Sequence, residues 1–263
     1  RTMYDLTFWS RSYLLFLFLV ALLAAFLTIA PVFGSRNIPA TLRFFFAVFL
    51  ALIFLPLFLS LDVPEPGSLL SLAISLVSEF GLGLALGFCA SIIFSAFQVA
   101  GQVIDAQVGF GMVNVLDPQS GAQVPLMGNL LFFLASIVFL STDGHHWLLH
   151  ALWTSWRLVP PGAQWGGPGL FEQIVRAATT MFVAGFQIAA PVVAALLLAD
   201  LALGIVARTM PQLNIFVVGL PLKSFLGIGM VLLSLSAYGV LLRVLLREVQ
   251  AGLEGILYLL PPR

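Results

Sequence analysis

An all-α fold of integral, membrane-associated helical hairpins is predicted by three features of this sequence. Only 8% of the residues are charged and 61% are hydrophobic, and the mean hydropathy of +1.10 leaves too few charges to coat a soluble globule. Several apolar runs reach the roughly 20 residues that cross a hydrocarbon core at 1.5 Å rise per residue. The breaks between them are short and rich in Pro, Gly and polar turn formers, as helix ends require.

The charge balance narrows the function classes. Equal counts of 11 basic and 11 acidic residues give no reason to expect nucleic-acid binding or a polybasic lipid anchor. The lone Cys89 excludes an intrachain disulfide and a cysteine-built metal cluster, and in its apolar run it reads as a small buried hydrophobe.

Ser12 to Phe33 is the first run of spanning length. It is about twice as long as a signal-peptide core and no small-residue cleavage site follows, so it reads as a retained helix. Gly34-Ser35-Arg36-Asn37 turns the chain. Pro39 then opens a second run, Ala40 to Leu61, with Pro56 near its end in a position to kink it. Asp62-Val63-Pro64-Glu65-Pro66-Gly67 is a rigid acidic connector to a third run, Leu69 to about Phe97. Within that run Glu79, Gly83, Gly87, Ser91 and Ser95 recur every fourth residue and share one helix face. Small residues in such a ridge let helices approach closely, which in membranes is the usual mark of helix packing. Glu79 is costly there unless paired, neutral or wet, and reads either as a proton-relay acid or as half of a buried pair with an Arg of another helix or subunit.

Gly101 to Pro125, GQVIDAQVGFGMVNVLDPQSGAQVP, fits neither a membrane helix nor an ordinary solvated loop. Val108, Phe110, Met112, Val113, Val115 and Leu116 form an apolar centre that Gly109 and Gly111 free to bend. Asp105 and Gln107 bracket it on one side, and Asn114, Asp117, Pro118, Gln119 and Ser120 on the other, Asp117-Pro118 being a turn-initiating pair. By spacing alone the stretch is either a packed connector, the commoner case, or a stopper for a water-filled path.

Val124 to Ser141 is a fourth span. Asp143 to Gly169, with Trp147, Trp153, Trp156 and Trp165, suits a membrane–water boundary and is expected to form in part a short amphipathic helix. The fifth run, about Ile174 to Val206, contains Pro191 and Asp200 and is longer than one straight crossing, so a kink, a tilt or a hairpin must absorb the excess. Arg208 to Lys223 interrupts the apolar pattern, Phe225 to Leu246 is the last long run, and a short, mildly amphipathic tail follows. Five or six crossings satisfy the positive-inside rule at Arg36, Arg43, Arg208 and Lys223 but put Arg243 and Arg247 outside. That conflict, with the buried polar residues, points to a re-entrant run or to a chain surrounded by protein rather than lipid.

Chemistry-bearing clusters are sparse. His146 and His150 are spaced i, i+4, but Trp147-Leu148-Leu149 stands between them and no Cys or nearby Glu completes a zinc set, so the histidines read as interfacial or structural and no metal is expected. No nucleotide or dinucleotide fingerprint, nucleophile elbow or cofactor motif is present, and no catalytic residue is assigned. Asp105, Arg176, Asp200, Arg208 and Lys223 remain as single charges suited to transport or to subunit contacts, and Lys223 is the only lysine.

Asp105-Ala106-Gln107-Val108-Gly109-Phe110-Gly111-Met112, then Asp117-Pro118-Gln119-Ser120-Gly121, Gly144-His145-His146-Trp147-Leu148-Leu149, and Asn214-Ile215-Phe216-Val217-Val218-Gly219-Leu220-Pro221-Leu222-Lys223 together resemble the FliR family. These are flagellar biosynthetic proteins of the type III export gate. The blocks occur in family order along essentially the whole chain, nearer the flagellar branch than the injectisome one. The resemblance implies a FliP-like portion, 1–170, followed by a FliQ-like portion, 171–263. A single such subunit would complete a helical pore with FliP and FliQ chains, with FlhB as a further partner, in the bacterial cytoplasmic membrane at the flagellar basal body and largely above the membrane plane. Unfolded flagellar proteins would pass through it, and lipid would touch it. The central loop would then be a plug, with Gly109, Phe110, Gly111, Met112, Val113 and Leu116 as the apolar stopper between Asp105 and Asp117-Pro118. Glu79, Gly83, Gly87, Ser91, Ser95, Gly219, Pro221 and Lys223 would serve subunit packing. The rival class is an ion-coupled secondary transporter using Glu79, Asp200 and the charged breaks.

Overall fold

The computed structural model of the chain describes residues 6–31, 33–34, 38–59, 63, 66–110, 125–158, 161–162, 168–212 and 214–258. Among these all regular structure is helical: α1 (Leu6–Ile29), α2 (Ala40–Phe58), α3 (Leu69–Val108), α4 (Leu126–Ser141), α5 (Gly144–Leu158), α6 (Pro168–Thr209), α7 (Ile215–Leu233) and α8 (Leu235–Tyr258). The expected all-α class holds.

Helix boundaries follow local chemistry. α1 stops before Pro31, which has no N–H to give, and Gly34 N closes the turn on Ala30 O at 2.7 Å. α2 opens after Pro39, whose φ of −56° is already that of a helix, and keeps Pro56 inside its last turn.

α3 corrects the expected end of the third run near Phe97, because it continues through Gly101 to Val108. Phe97, Ala100, Ile104 and Val108 keep one buried stripe at helical spacing, while Gln98 and Gln102 take the exposed side. Those glutamines lower the hydropathy without breaking the period. The first part of the Gly101–Pro125 stretch is therefore helix, not loop.

α5 is the expected short amphipathic helix: Leu148, Leu152, Ser155 and Trp156 are buried, while His146, His150 and Arg157 are exposed. α6 absorbs its excess length as one continuous helix of 42 residues, with Pro168 at its start and Pro191 inside it. The interruption expected over Arg208–Lys223 shrinks to the few residues before Ile215, so Pro221 and Lys223 are helical. The last long run is instead divided at the buried Ser234, where α7 and α8 bend by 57°. Among the described residues four helices, in α1, α2, α3 and α6, are long and apolar enough to cross a membrane, and up to six spans result if the broken pairs α4–α5 and α7–α8 each count as one.

The chain folds as two compact units. One comprises Arg1–Ile92, Asp143–Ala177 and Val249–Arg263, and the other Ile93–Thr142 and Ala178–Glu248. In the first, α1 supplies the core with Leu15, Phe18, Leu19, Leu22, Leu23 and Phe26. Phe54 and Phe58 of α2 meet the edge of Trp156 at 5.6 and 5.2 Å between ring centroids. In the second, Phe94 of α3 packs on Phe132 and Phe139 of α4, and Phe97 on Tyr238 of α8.

Candidate functional site

The polar residues singled out in the sequence gather where α3 ends and α4 begins. α3 closes at Gly109, whose φ of +97° suits a residue without a Cβ, and both Gly109 N and Phe110 N donate to Asp105 O at 3.1 Å. α4 starts after Pro125, which has no side chain able to cap it. Its orphan amides are taken by a residue from the preceding helix: Met127 N donates to Asp105 Oδ1 at 3.0 Å and Gly128 N to Oδ2 at 3.3 Å. Asp105, 7% exposed, is thus the N-cap of α4 from a distance and lies against the positive end of its dipole. Backbone contact makes this possible. A Cβ added at Gly101 would stand 2.2 Å from Gly128 Cα, so the two helices touch where neither carries a side chain.

A second clasp lies on the same end of α3. Lys223 Nζ of α7 donates to Gln107 O at 3.0 Å and pairs with Asp200 Oδ1 of α6 at 2.6 Å, while Gln107 Nε2 donates to Asp200 Oδ2 at 3.0 Å. The lysine thereby satisfies a last-turn carbonyl of α3 and brings a cation to that helix's negative end. Leu220 of α7 faces Gly109 and would meet a Cβ there at 3.3 Å, and Gly227 of α7 lets Val108 approach. The expected bracket residue Asp105 and the packing residue Lys223 therefore both hold the same helix end. Gly219 is buried and Pro221 exposed on α7. Gly111, Met112, Val113, Leu116, Asp117 and Pro118 lie outside the described residues, whereas Gly109 and Phe110 are half-buried at the mouth of that stretch.

The ridge on α3 packs within the chain. A Cβ at Gly83 would stand 2.3 Å from Leu22 O and one at Gly87 2.9 Å from Phe26 O, both on α1. Ser91 and Ser95 stay half-buried. Glu79, 2% exposed, finds no Arg partner among the described residues; its Oε1 accepts Gly162 N at 2.7 Å. Gly162 has φ +84° and lies against Phe18, so the carboxylate fixes a tight turn there. Arg176 pairs with Glu172 one turn away, fully on the surface. The sequence reading missed that Asp200 and Lys223 are partners and that Gln107 joins them. The signal was present: the only lysine of a chain this poor in charge needs an acid, and Asp200, like Glu79, lies deep in a long apolar run.

The histidines divide differently from their i, i+4 spacing. Donor atoms of Asp143, His145 and His146 lie within 4.8 Å of one another, whereas His150 Nδ1 faces Thr154 Oγ1 at 3.5 Å.

Residues 13–249 match the family described as bacterial export proteins, family 1. The chain belongs to that family. FliR, the flagellar biosynthetic protein of Bacillus subtilis (strain 168), is 42% identical over 87% of this chain and 88% of its own length. The FliR of Escherichia coli (strain K12) is 31% identical over 78% of each chain. The secretion system apparatus protein SsaT of Salmonella typhimurium (strain LT2) is 31% identical over 59% of this chain and 61% of its own. The chain is accordingly a membrane-embedded bacterial export protein of the FliR family, and the residues of both clasps, Asp105, Gln107, Asp200 and Lys223, fall inside the matched range.

Proposed function

We propose that the chain is a non-catalytic subunit of the flagellar type III export gate, forming a pore for unfolded flagellar proteins with FliP and FliQ subunits and with FlhB beside them. The observation that carries this is the 42% identity to a flagellar biosynthetic protein over 87% of the chain. Residues 1–170 act as the FliP-like portion and 171–263 as the FliQ-like portion. Gly83 and Gly87 use the α3 ridge inside the chain, and Ser91, Ser95, Gly219 and Pro221 serve neighbouring subunits. The assembly sits in the cytoplasmic membrane at the basal body and rises above its plane. Supporting that position, α3 with 40 residues and α6 with 42 are each about 60 Å long, twice a hydrocarbon core.

Gly109, Phe110, Gly111, Met112, Val113 and Leu116 seal the idle pore. A dry apolar constriction stops ions and water by the cost of dewetting and desolvation alone. The mounting supports this reading: the stretch leaves α3 through a glycine hinge, and Asp105 and Lys223 hold the helix from which it departs. Replacing Phe110 and Met112 together by Ser in cells should raise ion leak across the cytoplasmic membrane, with the complex assembled on a native gel and flagellar protein still secreted. Unchanged leak returns the stretch to a plain connector. Ion-coupled uptake by the purified chain alone in vesicles would support a transporter instead.

A further inference from the structure

The turn into α5 holds a donor set that the export role leaves unused. Asp143 sits at φ +57°, in the left-handed region, and its carbonyl accepts His146 N at 3.0 Å and Trp147 N at 3.3 Å, so it caps the helix that the two histidines open. Consecutive residues of a helix point about 100° apart, yet the His145 and His146 rings approach to 4.4 Å between centroids, at 89° to one another. One carboxylate oxygen and one nitrogen from each ring come within 4.8 Å of one another. His145 is half-buried, and its Nδ1 is buried without a hydrogen-bond partner among the described residues.

We propose that Asp143, His145 and His146 bind a divalent first-row metal ion, Zn2+ above all. Two imidazoles and a carboxylate match the nitrogen and oxygen preference of that ion, and three protein ligands leave a position for water. Ligand bonds of about 2.0–2.2 Å place donors roughly 3.4 Å apart in a tetrahedron, so from separations within 4.8 Å these three must close by up to about 1.4 Å. Asp143 and His146 are exposed and can turn at their side-chain torsions, with the half-buried His145 as the fixed member. The ion would tie the left-handed turn to the first turn of α5, whose far end carries Trp156 under Phe54 and Phe58. Its role is to brace that helix. His150 takes no part, since it faces Thr154 and Trp153.

The test uses the full-length protein in detergent, purified through an affinity tag without histidine, stripped of metal and dialysed against Zn2+ or Co2+ alone. The expected result is one equivalent of Zn2+ per chain by mass spectrometry, visible d–d bands with Co2+, and a rise in thermal midpoint on adding Zn2+. Asp143→Asn and His146→Ala should each weaken binding at least tenfold, and His150→Ala should leave it unchanged. Asn tolerates the left-handed φ, so Asp143→Asn keeps the turn while removing the charged ligand. Binding at or below the buffer background, or equal binding by Asp143→Asn and wild type, overturns the site.

Discussion

The Asp105 carboxylate lies at the unfavourable end of its own helix, where an anion meets the negative pole of the α3 dipole. It is tolerated there because it accepts two amides of α4, 22 and 23 residues further on. Asp105→Ala leaves both amides without that acceptor and should cost about 2 kcal/mol, while Asp105→Asn, which keeps one acceptor oxygen, should cost about half as much. Thermal unfolding in detergent checks the order, and equal losses would mean that volume rather than capping matters. The glycines are a second case where position decides. Gly101→Ala drives a methyl onto Gly128 Cα at 2.2 Å and should destabilise by about 3 kcal/mol. Gly204→Ala, with nothing within 4 Å and a helical setting, should be neutral or stabilising by up to about 1 kcal/mol in the same assay. A neutral Gly101→Ala would show that the two helices can separate at little cost.

Among the elements, α3 contributes to both units: in the first its N-terminal half packs on α1 through Gly83 and Gly87, and in the second its C-terminal end is clasped by α4, α6 and α7. The Asp200–Lys223 pair is the part of that clasp open to measurement. Lys223 is 18% exposed and Asp200 39%, so water screens the attraction and the pair is worth about 1 kcal/mol in a double-mutant cycle. Removing one partner leaves the other charge without its counter-ion in a site that water reaches only in part. Lys223→Met and Asp200→Asn should therefore each reduce stability more than the double variant does. Losses that simply add would mean that the two charges act independently and that Lys223 serves only the Gln107 carbonyl.

At the largest scale, exposed apolar surface recurs on helix after helix: Phe45 and Phe49 of α2, Phe133 and Ile137 of α4, Leu201 of α6 and Phe225 of α7 are each more than half exposed. A monomer with such faces needs lipid or neighbouring subunits around it, in keeping with the export family to which it belongs. The same requirement underlies the leak expected of the Phe110 and Met112 replacement, since a stopper matters only where a pore is built around it. Hydropathy, helical period and motif order are local properties, so the amino-acid sequence alone was enough for the all-α membrane class, for the family, and for α2 and α4 to within a few residues, while it set α1 several residues late and placed α5 only within a longer stretch. It misjudged the end of α3, where glutamines lowered hydropathy while the buried stripe at Phe97, Ala100, Ile104 and Val108 continued. It also left Asp105, Asp200 and Lys223 as separate charges and overlooked Asp143 beside His145 and His146. Asp143, His145 and His146 are neighbours in the chain, whereas the partners of Asp105, Asp200 and Lys223 follow from tertiary contacts alone. A buried charge in so apolar a chain is satisfied by whichever helix end or side chain crosses it, and the crossings are set by where Gly101 meets Gly128 and Gly83 meets Leu22, contacts made between residues far apart in the chain.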